Sequence, residues 1–201
     1  MIAVIDYDVG NIRSVINILN RLNEKFILTN SINEIDSCDK IILPGVSNFK
    51  HCMKNIRQLK LDHILKEQII KKKKSILGIC SGMQILSSFS EEGNVEGLNM
   101  IKGNIKKIPK IKKLKVPHMG WNKINVTQNK LLIGIKNQTR FYFCHSYYFC
   151  PTNLKDSIAE TTYGIKFCTA FNRDNIYGVQ FHPEKSLDHG MKIIKNFQQQ
   201  C

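Results

Sequence analysis

Two short segments bring together side chains that could do covalent chemistry. Gly78-Ile79-Cys80-Ser81-Gly82 lies between the buried strand-like run Ser75 to Ile79 and an apolar stretch, Met83 to Phe89, which the pattern predicts to be a helix. That is the nucleophile-elbow spacing with cysteine as the nucleophile. A sharp strand-to-helix turn forces the central residue into a strained backbone conformation, and small neighbours leave room for it. The thiol then stands at the carboxyl end of a sheet. A helix N-terminus beside a sulfur favours the thiolate, and the backbone N–H of Ser81 would point where an oxyanion forms. The second segment is His182-Pro183-Glu184, directly after the strand-like run Tyr177 to Phe181. A histidine there, oriented by a carboxylate two residues on, would supply the base and proton carrier that a cysteine nucleophile needs. His51, His63 and His189 lie in charged helical contexts and read as surface histidines. His145 ranks below His182 as a base.

The elements that must carry these residues alternate between strand and helix. Met1 to Asp6, Phe26 to Thr29, Lys40 to Leu43 and Ser75 to Ile79 read as strands, the first a continuous apolar run of the kind buried on both faces. Asn11 to Arg21 and Met53 to Lys73 have helical spacing. Such alternation implies parallel βαβ units, an α/β sheet with helices on both sides. After about residue 95 shorter strands take over, at Lys115 to Val126, Arg140 to Phe149, Ile165 to Phe171 and Ile176 to Phe181, with a last helix from about Leu187 to Gln198. These predict a mixed or antiparallel section added to the sheet.

Composition bounds the class. With 201 residues, 42% hydrophobic and 23% charged, the chain fits one globular domain, residues 1–201. Apolar runs fall far short of the ~20 residues that span a bilayer, and no leader pattern opens the sequence. The chain therefore reads as cytoplasmic, with no membrane partner. Seven cysteines without a CxxC pair argue against a zinc site or a disulfide framework, and no residue cluster calls for a metal or other cofactor. The net charge of +14 comes from 25 Lys and 5 Arg against 16 acids, concentrated at Lys71 to Lys74 and Lys102 to Lys115. Arginine is scarce and the lysine runs lack stacking aromatics, which argues against nucleic acid.

The elbow, extended to Met83-Gln84, together with Gln180-Phe181-His182-Pro183-Glu184, resembles the class I (triad) glutamine amidotransferases. Further motifs look like the glutaminase subunits of imidazole glycerol phosphate synthases: Asp6-Tyr7-Asp8-Val9-Gly10-Asn11, Leu43-Pro44-Gly45-Val46, Pro117-His118-Met119-Gly120-Trp121-Asn122, Tyr142-Phe143-Cys144-His145-Ser146-Tyr147, and Lys185-Ser186 after the HPE run. The resemblance spans essentially the whole chain. It implies a flavodoxin-like, mostly parallel central sheet and a Cys80-His182-Glu184 triad that hydrolyses L-glutamine. Gly45, Val46, Ser47 and Ser81 would form the oxyanion and substrate loop, and Gln84, His145, Ser146 and Tyr147 would complete the glutamine pocket. The partner implied is a cyclase subunit that receives the ammonia. Asn11, His118, Trp121, Asn122, Tyr142 and Lys185 are then expected at the partner interface or its gate. Two positions depart from the family pattern. Ser47 replaces the last glycine of a PGVG loop, which should bias that loop toward one state, and Ser81 replaces a bulkier apolar residue.

Three rivals share parts of this pattern. A relative could feed ammonia to an amidotransferase acting on a surface-polysaccharide sugar. A silent scaffold could have kept the fold, although the intact triad speaks against it. A free-standing cysteine hydrolase would leave the HMGWN segment unexplained.

Overall fold

The computed structural model describes all residues except Gly10 and Lys113. Gly10 of the opening motif and one lysine of the Lys102 to Lys115 stretch therefore lie outside the described residues.

Strand β1 (Ile2–Ile5) is buried at every position, because helices cover both of its faces. It pairs in parallel with β2 (Phe26–Thr29) on one side and β3 (Lys40–Leu43) on the other. β4 (Ser75–Ile79) follows β3 in parallel. The strand Ile176–Val179 then lies parallel to β4, giving the 2-1-3-4-5 order of a flavodoxin-like sheet. Successive residues divide between two cores. Ala3, Ile5, Ile41 and Leu43 pack under α3 (Phe49–Gln58) and α4 (Leu61–Lys66), while Ile2, Val4, Ile42 and Leu77 pack under α1 (Ile12–Arg21) and the C-terminal helix Leu187–Gln200. Ile193, Ile194 and Phe197 of that last helix are fully buried, each worth roughly 1.5–3 kcal/mol.

The single helix expected over Met53 to Lys73 is divided. Lys60 takes a left-handed φ of 55°, which ends α3 and starts α4, and the final turn widens into a π-helix over Glu67–Lys71. The helix expected over Met83 to Phe89 is also corrected. Helix α5 spans only Ser81–Gln84, because the carbonyls of Ile85, Leu86 and Ser87 accept from the N–H groups of Leu98 to Ile101 rather than from a next helical turn. Its one turn adds little macrodipole, so position rather than a long dipole must activate the sulfur. Between α2 (Ile32–Ser37), itself not anticipated, and the C-terminus the chain adds short strands β5 (Phe89–Ser90), β6 (Val95–Glu96) and β7 (Gly103–Lys107).

The run Arg140 to Phe149 proves to be two strands, β9 (Thr139–His145) and β10 (Tyr147–Pro151), interrupted at Ser146. They have different partners: β9 pairs with β8 (His118–Val126), and β10 with β7 and β12 (Ile165–Arg173). A further strand, β11 (Ser157–Tyr163), joins β8 to β12, and β12 runs antiparallel to β13 (Ile176–Val179). Thirteen strands thus join among the described residues, five of them in the parallel core. The C-terminal helix is α6 (Leu187–Gln200). Among the described residues no helix is long and apolar enough to cross a membrane.

Candidate active site

The carboxyl ends of β1, β3, β4 and β13 meet on one side of the sheet, where open α/β sheets hold ligands. Cys80 follows β4 directly, at φ 53° and ψ −112°. A non-glycine residue in so sparsely populated a region carries of order 1–3 kcal/mol of strain, which only over-determined surroundings sustain. Those surroundings are tight. A Cβ on Gly82 would fall 2.0 Å from the Leu43 carbonyl, and one on Gly78 2.6 Å from the Met83 Cα. The two glycines of the elbow are there because β3, β4 and α5 touch backbone to backbone.

Around the sulfur, the Cys80 thiol donates to the Cys144 carbonyl at 3.8 Å and accepts from Gln180 Nε2 at 3.8 Å. His182 comes off the end of β13, its backbone N–H given to the Tyr142 carbonyl and its own carbonyl taken by the Ser186 hydroxyl. Its Nδ1 lies 2.8 Å from Glu184 Oε1, in a pair whose side chains are 1% and 2% exposed. Among the described residues His182 Nε2 has no hydrogen-bond partner. Burial works against the imidazolium, but Cys80 and then Glu184 outweigh it and hold the ring's pKa up at about 10. The histidine is therefore poised to hold a proton beside a sulfur, as a nucleophilic Cys–His pair requires.

An open cleft of about 230 Å³ leads to Cys80. Of the residues expected there from the sequence, Val46, Ser47, Ser81 and Gln84 line one part and His145, Ser146 and Tyr147 another. Gly45 does not line it but packs beneath, with no space for a Cβ against Ser81 Oγ, 2.3 Å away. Ser47 is not among the residues with positive φ, so this shape of the loop makes no demand for glycine at that position. Sequence reasoning missed Glu92, the carboxylate in the cleft, whose Oε2 accepts the Phe49 N–H at 2.7 Å. Burial raises its pKa. No local pattern marked it, because its contact is with the start of α3, far away in the chain.

His145 and His118 form a buried relay. The Tyr147 carbonyl can only accept, so His145 Nδ1, 2.8 Å from it, carries a hydrogen. His145 Nε2 then accepts from His118 Nδ1 at 3.0 Å, and His118 Nε2 from the Asn122 amide at 3.2 Å. Burial lowers His118 to about 4 and His145 to about 3, so both are neutral. The same Tyr147 carbonyl accepts from Gln84 Nε2, which also donates to Gln180 Oε1, and Gln180 reaches Cys80.

The residues expected at a partner surface divide. Trp121 is 45% and its neighbour Met119 61% exposed, which rules out a core-anchor role for the tryptophan. Trp121 meets Tyr142 edge-on, and Lys185 Nζ lies 5.5 Å from the centre of the Tyr142 ring, so three of them form one patch. His118 does not join it: it is buried at 3%, and Asn122 spends its amide on His118 and the Thr162 carbonyl. Asn11, at the start of α1, accepts from the hydroxyl of Ser14, which lines a surface cleft together with Lys185.

A family model described as glutamine amidotransferase class-I matches residues 3–201. The chain is 43% identical over 202 residues to imidazole glycerol phosphate synthase subunit HisH 2 of Methanococcus maripaludis, covering 100% of both chains. It is 47% identical over 200 residues to subunit HisH of that synthase from Methanocaldococcus jannaschii, covering 98% of both. Among solved structures, a glutamine amidotransferase crystal structure superposes with a TM-score of 0.75 at 14% identity, over 98% of this chain and 97% of that one, which speaks to the fold alone.

Proposed function

The chain belongs to the class I glutamine amidotransferase family, and we propose that it is the glutaminase subunit of an imidazole glycerol phosphate synthase, acting as one unit over residues 1–201 in the cytoplasm. The observation that carries this is a strained Cys80 that lines a cleft and stands beside the buried His182–Glu184 pair.

In this reading Cys80 attacks the side-chain carbonyl carbon of glutamine. Charge develops on the carbonyl oxygen, and the Ser81 backbone N–H and the Gly45 to Ser47 loop face it; preorganised donors of this kind contribute several kcal/mol in a site shielded from water. His182 passes its proton to the departing nitrogen, so ammonia leaves and a glutamyl thioester remains. A water then gives up a proton to His182 and attacks the thioester, releasing glutamate and restoring the thiol. Glu184 keeps the imidazole in register through both steps. Glu92 is the carboxylate suited to the α-ammonium group of the substrate, while Gln84, Ser146 and Tyr147 frame the rest.

Free ammonia would protonate in bulk water and lose its nucleophilicity, so a productive enzyme delivers it into a docked cyclase subunit, and the Trp121–Tyr142–Lys185 patch is the surface for that partner. There it completes formation of imidazole glycerol phosphate and an aminoimidazole ribonucleotide in histidine biosynthesis. The test is glutamate release from glutamine by the purified chain, alone and with the cyclase subunit of the same genome, with and without its phosphoribulosyl ligand. Strong stimulation by partner and ligand together is the expected result. A rate indifferent to that partner would overturn the histidine-pathway assignment.

A further inference from the structure

Gln180 is a fully buried polar side chain at the sulfur that the reaction above does not use. It follows β13 as Cys80 follows β4. Those strands pair in parallel with Val179 opposite Ile79, and the Cys80 N–H donates to the Val179 carbonyl at 2.8 Å, so the two residues leave the sheet side by side. Phe181 turns into the core and stacks on Phe141. Gln180 and His182, on either side of it, both come to Cys80.

Which end of the Gln180 carboxamide faces the sulfur follows from its neighbours. The Tyr147 carbonyl can only accept, so Gln84 turns its amino group there, at 2.9 Å. The same Gln84 Nε2 donates to Gln180 at 2.8 Å, so the Gln180 atom facing it is the oxygen. The Gln180 Nε2 is thereby left for Cys80 Sγ, at 3.8 Å. Gln84 is itself nearly fully buried.

We propose that Gln180 holds Cys80 as the thiolate, through a carboxamide N–H that Gln84 and the Tyr147 carbonyl aim at the sulfur. This deepens the glutaminase reading and rests on it. The sulfur has neighbours of two kinds. The Cys144 carbonyl serves the protonated form alone, because it can only accept. The Gln180 N–H does the reverse: its bond to a neutral thiol is weak, and ionisation of the sulfur makes it charge-assisted. A donor that favours the charged form lowers the pKa of the group it serves. His182 also favours the thiolate, but its proton passes to the departing nitrogen. The amide keeps its hydrogens throughout, so it serves the thiolate before attack and again as the sulfur leaves the thioester. Gln84 is a positioning residue for this contact, acting through Gln180.

The test is the rate of Cys80 alkylation by iodoacetamide against pH, in the wild type and in Gln180→Met, which keeps the side-chain length and loses the donor. The thiolate displaces iodide, so the inflection reports thiolate formation in the Cys80–His182 pair. Gln180→Met should move it up by about one pH unit, with alkylation about tenfold slower on the acid side, the factor that a hydrogen bond to a charged group commands. On the alkaline plateau the rate should equal the wild type or exceed it by up to about threefold, since nucleophilicity rises with pKa. The acid limb of kcat/KM for glutamine should move with it. A merely structural role would change KM, or the rates equally at every pH, and leave the inflection in place; that result would overturn the proposal. NMR of the wild type decides the matter even if the variant does not fold. The Gln180 carboxamide resonance should follow the same inflection, and one that ignores it overturns the proposal. A wild type that releases no glutamate defeats the glutaminase reading instead, while an active wild type with an unmoved inflection defeats the role of Gln180 alone.

Discussion

His182 and His145 are both buried imidazoles beside Cys80, yet one is held at a pKa of about 10 and the other at about 3. Burial penalises the charged form of each. The difference lies in what surrounds the ring. His182 stands beside the Cys80 sulfur and gives Nδ1 to the Glu184 carboxylate, whereas His145 gives Nδ1 to a neutral backbone carbonyl and faces two other histidines, His118 and His182. The first can carry a proton through a reaction. The second is locked in one tautomer and serves as a strut between Asn122 and the substrate pocket. Two buried histidines near one cysteine are thus assigned opposite roles by the groups at Nδ1 and the groups around them, not by depth.

The largest expected effect removes the centre of that contrast. Cys80→Ala should lower glutamine hydrolysis about ten-thousand-fold or more, measured as glutamate release, since loss of a nucleophile collapses the whole triad's contribution. Glu184→Gln makes the environment of His182 resemble that of His145. It should cost about a hundred- to ten-thousand-fold in kcat, and NMR of the imidazole should show the His182 titration moving down. Retained activity with an unmoved titration would break the comparison.

Stability against pH gives a third test. His182 titrates higher in the folded chain than the ordinary value of about 6.5, so its contribution is complete below about 6.5 and drains away as pH rises toward 10. His118 and His145 titrate lower than that value, so theirs is present above about 6.5 and lost as pH falls toward 4 and 3. Thermal melts of the wild type should weaken on both sides. Cys80→Ser removes the strongest influence raising His182 and should flatten the alkaline limb, while His145→Gln should flatten the acid limb. The smallest effect is expected from Asn122→Ala. It leaves His118 Nε2 unpaired at a cost of about 1–3 kcal/mol, seen as a lower Tm, with the His182 titration unmoved.

The elbow and the HPE run were legible because each is local: a strand, a turn and a nucleophile within a few residues, or a base and its carboxylate two apart. The parallel strands Lys40–Leu43 and Ser75–Ile79 were legible too, as short apolar runs buried after their first residue, and so was Phe26–Thr29, although at the sheet edge it leaves Leu28 exposed. Glu92 and the His118–His145 relay were not, since each joins residues 27 to 43 apart in the chain and leaves no periodic trace. The shortness of α5 was hidden for a related reason. Met83 to Phe89 has a helical apolar pattern, but its carbonyls are captured by the Leu98 to Ile101 segment, a tertiary competition that propensity does not record. Ser146 likewise interrupts a strand pattern that reads as continuous because β9 and β10 answer to different neighbours.

The most direct measurement is mass-spectrometric mapping of the adduct formed with an electrophilic glutamine analogue. The chain carries seven cysteines, and burial raises Cys52 to about 11 and Cys168 to about 12, which keeps those two as inert thiols. An adduct on Cys80 alone, formed more slowly in Glu184→Gln, is the predicted result. Labelling spread over the other cysteines, or a rate untouched by the loss of the Glu184 charge, would contradict a nucleophile activated by the His182–Glu184 pair.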